Sequence, residues 1–83
     1  MSNVLSIEKT LPAATYEQAV ADVHNWTQPR KGDAYVAHLL RAFRLRPAGM
    51  NAFQHDVGLQ LGHFVRFMQR YNVPESAWMI PTT

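Results

Sequence analysis

The stretch "FQHDVGLQLGHFVRFMQRYNVP", Phe53 to Pro74, decides the fold. It can be read as one amphipathic helix. At roughly 100° per residue, Phe53, Val57, Leu61, Phe64, Met68 and Tyr71 then fall in one narrow sector. Gly58 and Gly62 oppose this reading, because each costs a helix interior about 1 kcal/mol relative to alanine. They are four apart, so on one helix they would share a side and admit a close neighbouring helix.

The same residues can also be read as two helices, 52–59 and 63–71, flanking a turn at "QLGH". That is the order of parts in a helix-turn-helix: a small residue in the first helix, a glycine turn, and apolar packing positions in the second. Gly58, Gly62, Met68 and Tyr71 match this order, and His63 departs from it. The narrow apolar sector favours the continuous helix, and the two-helix form stays open. Asn72 and Pro74 end the segment in either case.

Working outward, Asn51 is a candidate N-cap for this segment, with Gln54 three residues on. Before it, "RPAG" reads as a turn, and Pro47 disfavours helical geometry at Arg46. The helix before that turn is predicted to start at an Asp33 cap, with Val36, Leu39, Leu40 and Phe43 as its apolar stripe. Arg41, Arg44 and Arg46 lie off the stripe near its C-terminal end, where positive charge suits the helix dipole. Earlier still, "TYEQ" predicts a capping box in which Thr15 and Gln18 each bond the other's backbone amide. Tyr16, Ala19, Val20, Val23 and Trp26 form one face of that helix. Pro29 stops it, and "QPRKGD" is a loop with a basic tip.

Residues 1–14 show Val4, Leu5, Ile7 and Leu11 without a sustained period, so they read as an extended arm on the core. The tail "ESAWMIPTT" carries Trp78, Met79 and Ile80, which are expected to dock back as a short turn. The predicted architecture is thus all-α: one domain over residues 1–83, made of a 1–14 arm, a 15–72 helical core and a 73–83 tail. The core is a three- to four-helix bundle, with or without a helix-turn-helix. Val20, Val23, Leu39, Leu40, Phe43, Val57, Leu61 and Met68 are expected to be buried together.

The composition agrees with a folded globule: 47% of the 83 residues are hydrophobic and 17% charged. A chain of this length hides only about 60–65% of its unfolded surface, so the core is adequate and not generous. The lack of cysteine excludes disulfides and thiolate metal sites and fits a reducing compartment. No apolar run approaches the roughly 20 residues of a membrane span, and "MSNVLSIEKTLP" lacks the basic lead of a secretory signal. A cytoplasmic protein with no membrane partner is the expectation.

Charge is unevenly placed. Residues 29–71 hold seven Lys and Arg against Asp33 and Asp56, a net of +5 within a chain whose total is +2. Such a block attracts nucleic acid or an acidic protein, or is simply a solvated face. No P-loop, dinucleotide fingerprint or nucleophile motif is present. His55 and His63 are eight apart, against the spacing of about four that a two-histidine zinc clip uses. The small chain also leaves little room for a substrate cleft of roughly 300 Å³ or more. The sequence therefore predicts no catalytic residues, no metal and no cofactor.

The expected function is a non-enzymatic regulatory protein that works by binding another protein: an antiactivator, inhibitor or adaptor of a regulator, of the kind carried by phages and mobile elements. Its partner-binding surface is expected at Phe64, Arg66, Phe67 and Arg70, because aromatics framed by arginine are common interface anchors. The alternative is a helix-turn-helix transcriptional regulator, with Arg66, Gln69 and Arg70 on bases and Arg30, Lys31, Arg41, Arg44 and Arg46 on phosphates. Protein binding ranks first here. A reading helix beginning "HFV" would turn Phe64 and Val65 toward the groove, where neither can hydrogen-bond a base edge. DNA binding is accordingly expected to be weak and non-specific.

Overall fold

The computed structural model describes residues 3–12, 15–47 and 49–78. Among these the chain is all-helical, in six helices: α1 (Asn3–Thr10), α2 (Tyr16–His24), α3 (Asp33–Leu45), α4 (Met50–Val57), α5 (Leu61–Arg70) and α6 (Glu75–Trp78). The two beyond the predicted three or four are short and lie at the two ends. Met79 and Ile80, expected in the docked tail, and Ala48 of the "RPAG" turn lie outside the described residues.

Helix α3 is the central element. It buries Tyr35, Val36, Ala37, Leu39, Leu40, Ala42 and Phe43, and α1, α2 and α6 pack against it. Its Phe43 meets Phe53 of α4 edge-on at 5.6 Å and stacks on Phe64 of α5 at 5.0 Å. Phe53 and Phe64 close the triangle at 5.5 Å. Ring pairs at these separations add about 0.5–1.5 kcal/mol each beyond area burial, so the triangle pins three helices to one point. Of the predicted core, Val23, Leu39, Leu40, Phe43, Val57 and Met68 are buried and Val20 is half-buried.

Leu61 is the exception: it is 42% exposed. It fails because the 53–74 stretch is not one helix. The helix ends at Gly58, which has φ +67° and ψ 32°, the left-handed geometry that glycine adopts without a Cβ penalty. The Leu59 amide bonds the Gln54 carbonyl at 3.1 Å and the Gly58 amide bonds His55 at 3.3 Å, which together form a Schellman stop. The first amide of α5, on Leu61, donates to Oε1 of the Gln54 side chain at 2.8 Å. The break therefore lies at 58–60, sharing only Gln60 with "QLGH", and Gly62 sits inside α5. The same stop recurs after α5: Asn72 takes φ +57° and the Val73 amide bonds the Met68 carbonyl at 2.9 Å.

The N-terminal segment is helix α1 rather than an extended arm. Its inward positions are Val4 and Glu8, one turn apart. Glu8 is buried, so the inward face carries a charge, which hides the helical period from a reading based on hydrophobicity.

The predicted caps fare unevenly. Thr15 accepts from the Gln18 amide at 3.2 Å as expected, but the Gln18 side chain donates to Asp22 instead of reaching back. The residue capping α3 is Gly32 and the residue capping α4 is Gly49. Asp33 and Asn51 are thus each already inside their helix, and Asp33 accepts a bond from Asn3 of α1 at 3.2 Å. Tyr16 donates to Asp56 Oδ2 at 2.7 Å, and His24 bonds the Asp56 carbonyl, so α2 is bonded to α4 at two points. Burial, and then the bond to Asp56 with its negative charge, pushes the Tyr16 hydroxyl up to about 12, while Arg46 opposes this. The hydroxyl therefore stays a donor throughout the neutral range.

Candidate functional site

Ten residues of α5 sort cleanly by side. Phe64 and Met68 are buried, and Val65 and Phe67 are half-buried against the core. Leu61, Gly62, His63, Arg66, Gln69 and Arg70 are exposed. Apart from Leu61 and Gly62 at its start, the outward side of α5 is thus made of donors and acceptors, and no carboxylate occurs anywhere on the helix.

This placement corrects one of the predicted partner-binding residues. Phe64 was expected to point outward if the helix broke. It is 1% exposed, because breaking the helix at Gly58 turns Phe64 into the aromatic triangle. Phe67 lies at the edge of the core, 5.9 Å edge-on from Tyr35 of α3. It forms, with His63, Arg66 and Arg70, a cleft of about 180 Å³. Three of the four predicted partner-binding residues therefore converge. His63 joins them, and sequence reasoning had placed it on no site. The signal was available: 63, 66, 67 and 70 are spaced i, i+3, i+4, i+7, which is one helix face.

The basic block divides in two. Arg41 and Arg44 turn inward to Glu8 of α1. Arg41 Nη2 lies 3.0 Å from Glu8 Oε2 and also donates to the carbonyls of Glu8 and, at 3.2 Å, Leu11. Arg44 Nη1 binds the other carboxylate oxygen. Arg46 donates to the Phe43 carbonyl at 2.7 Å and its guanidinium lies 3.9 Å from the Phe43 ring centroid. These three arginines, predicted as phosphate contacts, hold the fold together. Arg30, Lys31, Arg66 and Arg70 are exposed, together with Gln69, and are not among the side chains bonded to Glu8 or Phe43; Arg44 is also exposed but is paired with Glu8.

The loop bearing Arg30 and Lys31 is tied down. The Pro29 carbonyl accepts from the Lys31 amide at 2.8 Å and from Trp26 Nε1 at 3.2 Å. The Gly32 amide donates to the Tyr71 hydroxyl at 2.7 Å, which brings the loop to the C-terminal end of α5. Tyr71 is one turn beyond Phe67, so the loop flanks the edge of α5 that carries the cleft.

Two larger depressions lie on α2 and α3, one of about 480 Å³ reaching Leu11 and Arg41, the other of about 390 Å³ reaching Trp26 and Gln28. They share Asp22 and His38, and they are roomier than the length of the chain led us to expect. Several of their polar side chains already have contacts within the chain: Asp22 with Gln18, Arg41 Nη2 with Glu8, and the His38 ring 5.4 Å from that of Trp26, while Arg41 Nε is buried without a hydrogen-bond partner among the described residues. Among the described residues no cluster of three or more His, Asp or Glu could hold a metal ion, and no helix is long and apolar enough to cross a membrane. No family model, curated protein or solved structure matches the chain.

Proposed function

We propose that this chain is a small non-enzymatic regulator that binds double-stranded DNA, with α4, the Gly58 turn and α5 acting as a helix-turn-helix. The observation that carries the reading is the composition of the outward face of α5: beyond an exposed Leu61 at its first position it presents His63, Arg66, Gln69 and Arg70, with no carboxylate. Arginine reads guanine and glutamine reads adenine by paired hydrogen bonds in the major groove. A three-residue connection containing glycine is the usual link in this motif. The objection raised from the sequence falls with the burial of Phe64. The helix does not offer "HFV" to a groove, because Phe64 is in the core and Val65 is half-buried. The same burial removes the strongest anchor of the protein-binding reading, and so reverses the ranking of the two.

Protein binding remains as the second reading. It is favoured by the cleft at His63, Arg66, Phe67 and Arg70, which has an aromatic wall and cationic rims and would take one acidic or aromatic side chain of a partner. In that case the chain would act as an antiactivator, inhibitor or adaptor, occupying a regulator's functional surface.

The deciding experiment is selection of bound sequences from a random duplex library, followed by titration at two salt concentrations. Under the first reading an enriched site emerges, and Arg66→Ala costs about 1–3 kcal/mol and relaxes preference at one base pair. A library that returns no enriched site, with equal binding by wild type and Arg66→Ala, would discard it in favour of a protein partner.

A further inference from the structure

We propose that Arg30 and Lys31 form a phosphate clamp for the DNA strand beside the reading helix, and that Tyr71 is the residue that positions it. The inference rests on the DNA reading above and adds a second contact surface with its own structural support.

The argument begins with the loop. Adjacent cations on a mobile loop would lose much of their binding energy in being ordered, at about 0.5–1.5 kcal/mol per side chain immobilised. Residues 26–32 are already fixed at three points: Trp26 and Lys31 on the Pro29 carbonyl, and Gly32 on the Tyr71 hydroxyl. Gly32 takes φ +98°, a conformation that side chains rarely adopt, so the chain turns sharply there from the loop into α3. Arg30 and Lys31 are left exposed at the tip.

Position supplies the second half. The phenol that holds Gly32 belongs to the residue directly after Arg70, at the end of α5. Tyr71 is also one turn beyond Phe67, which lines the cleft with Arg66 and Arg70, so the loop is held at the C-terminal end of the helix edge that carries them. A helix lying in the major groove has a sugar-phosphate strand along each side, and cations flanking the helix meet phosphates. By contrast, Arg41 and Arg44 are bound to Glu8, so they are not the cations that do this.

The test uses the full chain and a labelled random-sequence duplex, with binding followed by anisotropy at several salt concentrations. Each phosphate neutralised contributes roughly 0.9 to the slope of log affinity against log salt. Arg30→Ala with Lys31→Ala should lower that slope by roughly 1.8. Both residues are exposed, so folding is not at stake. Tyr71→Phe keeps both charges and removes the bond to Gly32. It should weaken binding by roughly two- to tenfold, and should have little further effect once Arg30 and Lys31 are gone. That non-additivity separates a tether from general loss of stability. An unchanged slope in the double variant overturns the clamp, as does an equal Tyr71→Phe loss with and without the two cations. If the wild type binds but depends on Arg66 and Gln69 alone, the clamp fails and the DNA reading stands. If the wild type binds no duplex at all, both fail.

Discussion

The arginines near the C-terminal end of α3 and those on α5 have the same chemistry and opposite fates. Arg41 and Arg44 meet a carboxylate on α1 that is 5% exposed, and they serve as struts between helices. Arg66 and Arg70 stand on a helix without a carboxylate and face outward. What separates them is a partner thirty or more residues away, which local charge counting does not register. A net charge of +5 over residues 29–71 therefore overstates the positive surface. The difference teaches that a basic stretch must be divided by what already neutralises it before its reach toward an anionic partner is judged.

The largest expected effect tests the joint that sets the orientation of α5. Phe64→Ala removes the ring stacked on Phe43 and facing Phe53, and should cost about 3–5 kcal/mol of unfolding free energy in a urea titration. Phe67→Ala, at a half-buried edge position, should cost visibly less. Equal losses, or a loss at Phe64 below about 1 kcal/mol, would mean that α5 is rotated and that its outward face is misassigned.

The next effect tests the inward set of arginines. Glu8→Ala should destabilise by about 1–3 kcal/mol, less than the loss of a wholly buried pair, because Arg44 is 45% exposed and Arg41 keeps two carbonyl acceptors. It should also uncover two cations. If the contrast between the two sets is right, this variant loses stability and binds DNA with a steeper salt dependence than wild type. A variant as stable as wild type would show that the Glu8 contacts are not a brace.

How much of this was legible follows from the same pairs. The helices 16–24 and 33–45, and most of their inward faces, could be read because their apolar residues recur at helical spacing. Helix α1 was missed because its second inward residue is Glu8, which a hydrophobic pattern counts as outward. The aromatic triangle needs three helices brought together, and no local period encodes that. At the candidate site, Arg66, Phe67 and Arg70 were legible as a spaced cluster. Phe64 was misplaced because the side it faces depends on where the chain breaks, which two glycines four residues apart left undecided.

The smallest expected effects resolve that ambiguity directly, and they differ in sign. Gly58 has φ +67° and an added Cβ would meet nothing within 4 Å, so alanine there carries only the backbone cost of the left-handed region, about 1–2 kcal/mol. Gly62 lies in the first turn of α5 with its Cβ direction equally open. Alanine there removes the extra freedom of glycine in the unfolded chain and should stabilise, by up to about 0.5–1 kcal/mol. Gly58→Asn should fall between the two, since asparagine tolerates this geometry and Asn72 already adopts it at the end of α5. Urea titrations of the three variants with unchanged m-values would read these differences as stability alone. A turn centred on Gly62 would give the reverse order, with Gly62→Ala the damaging change. A continuous helix would make both alanines stabilising, and would place Leu61 in the core beside Phe64.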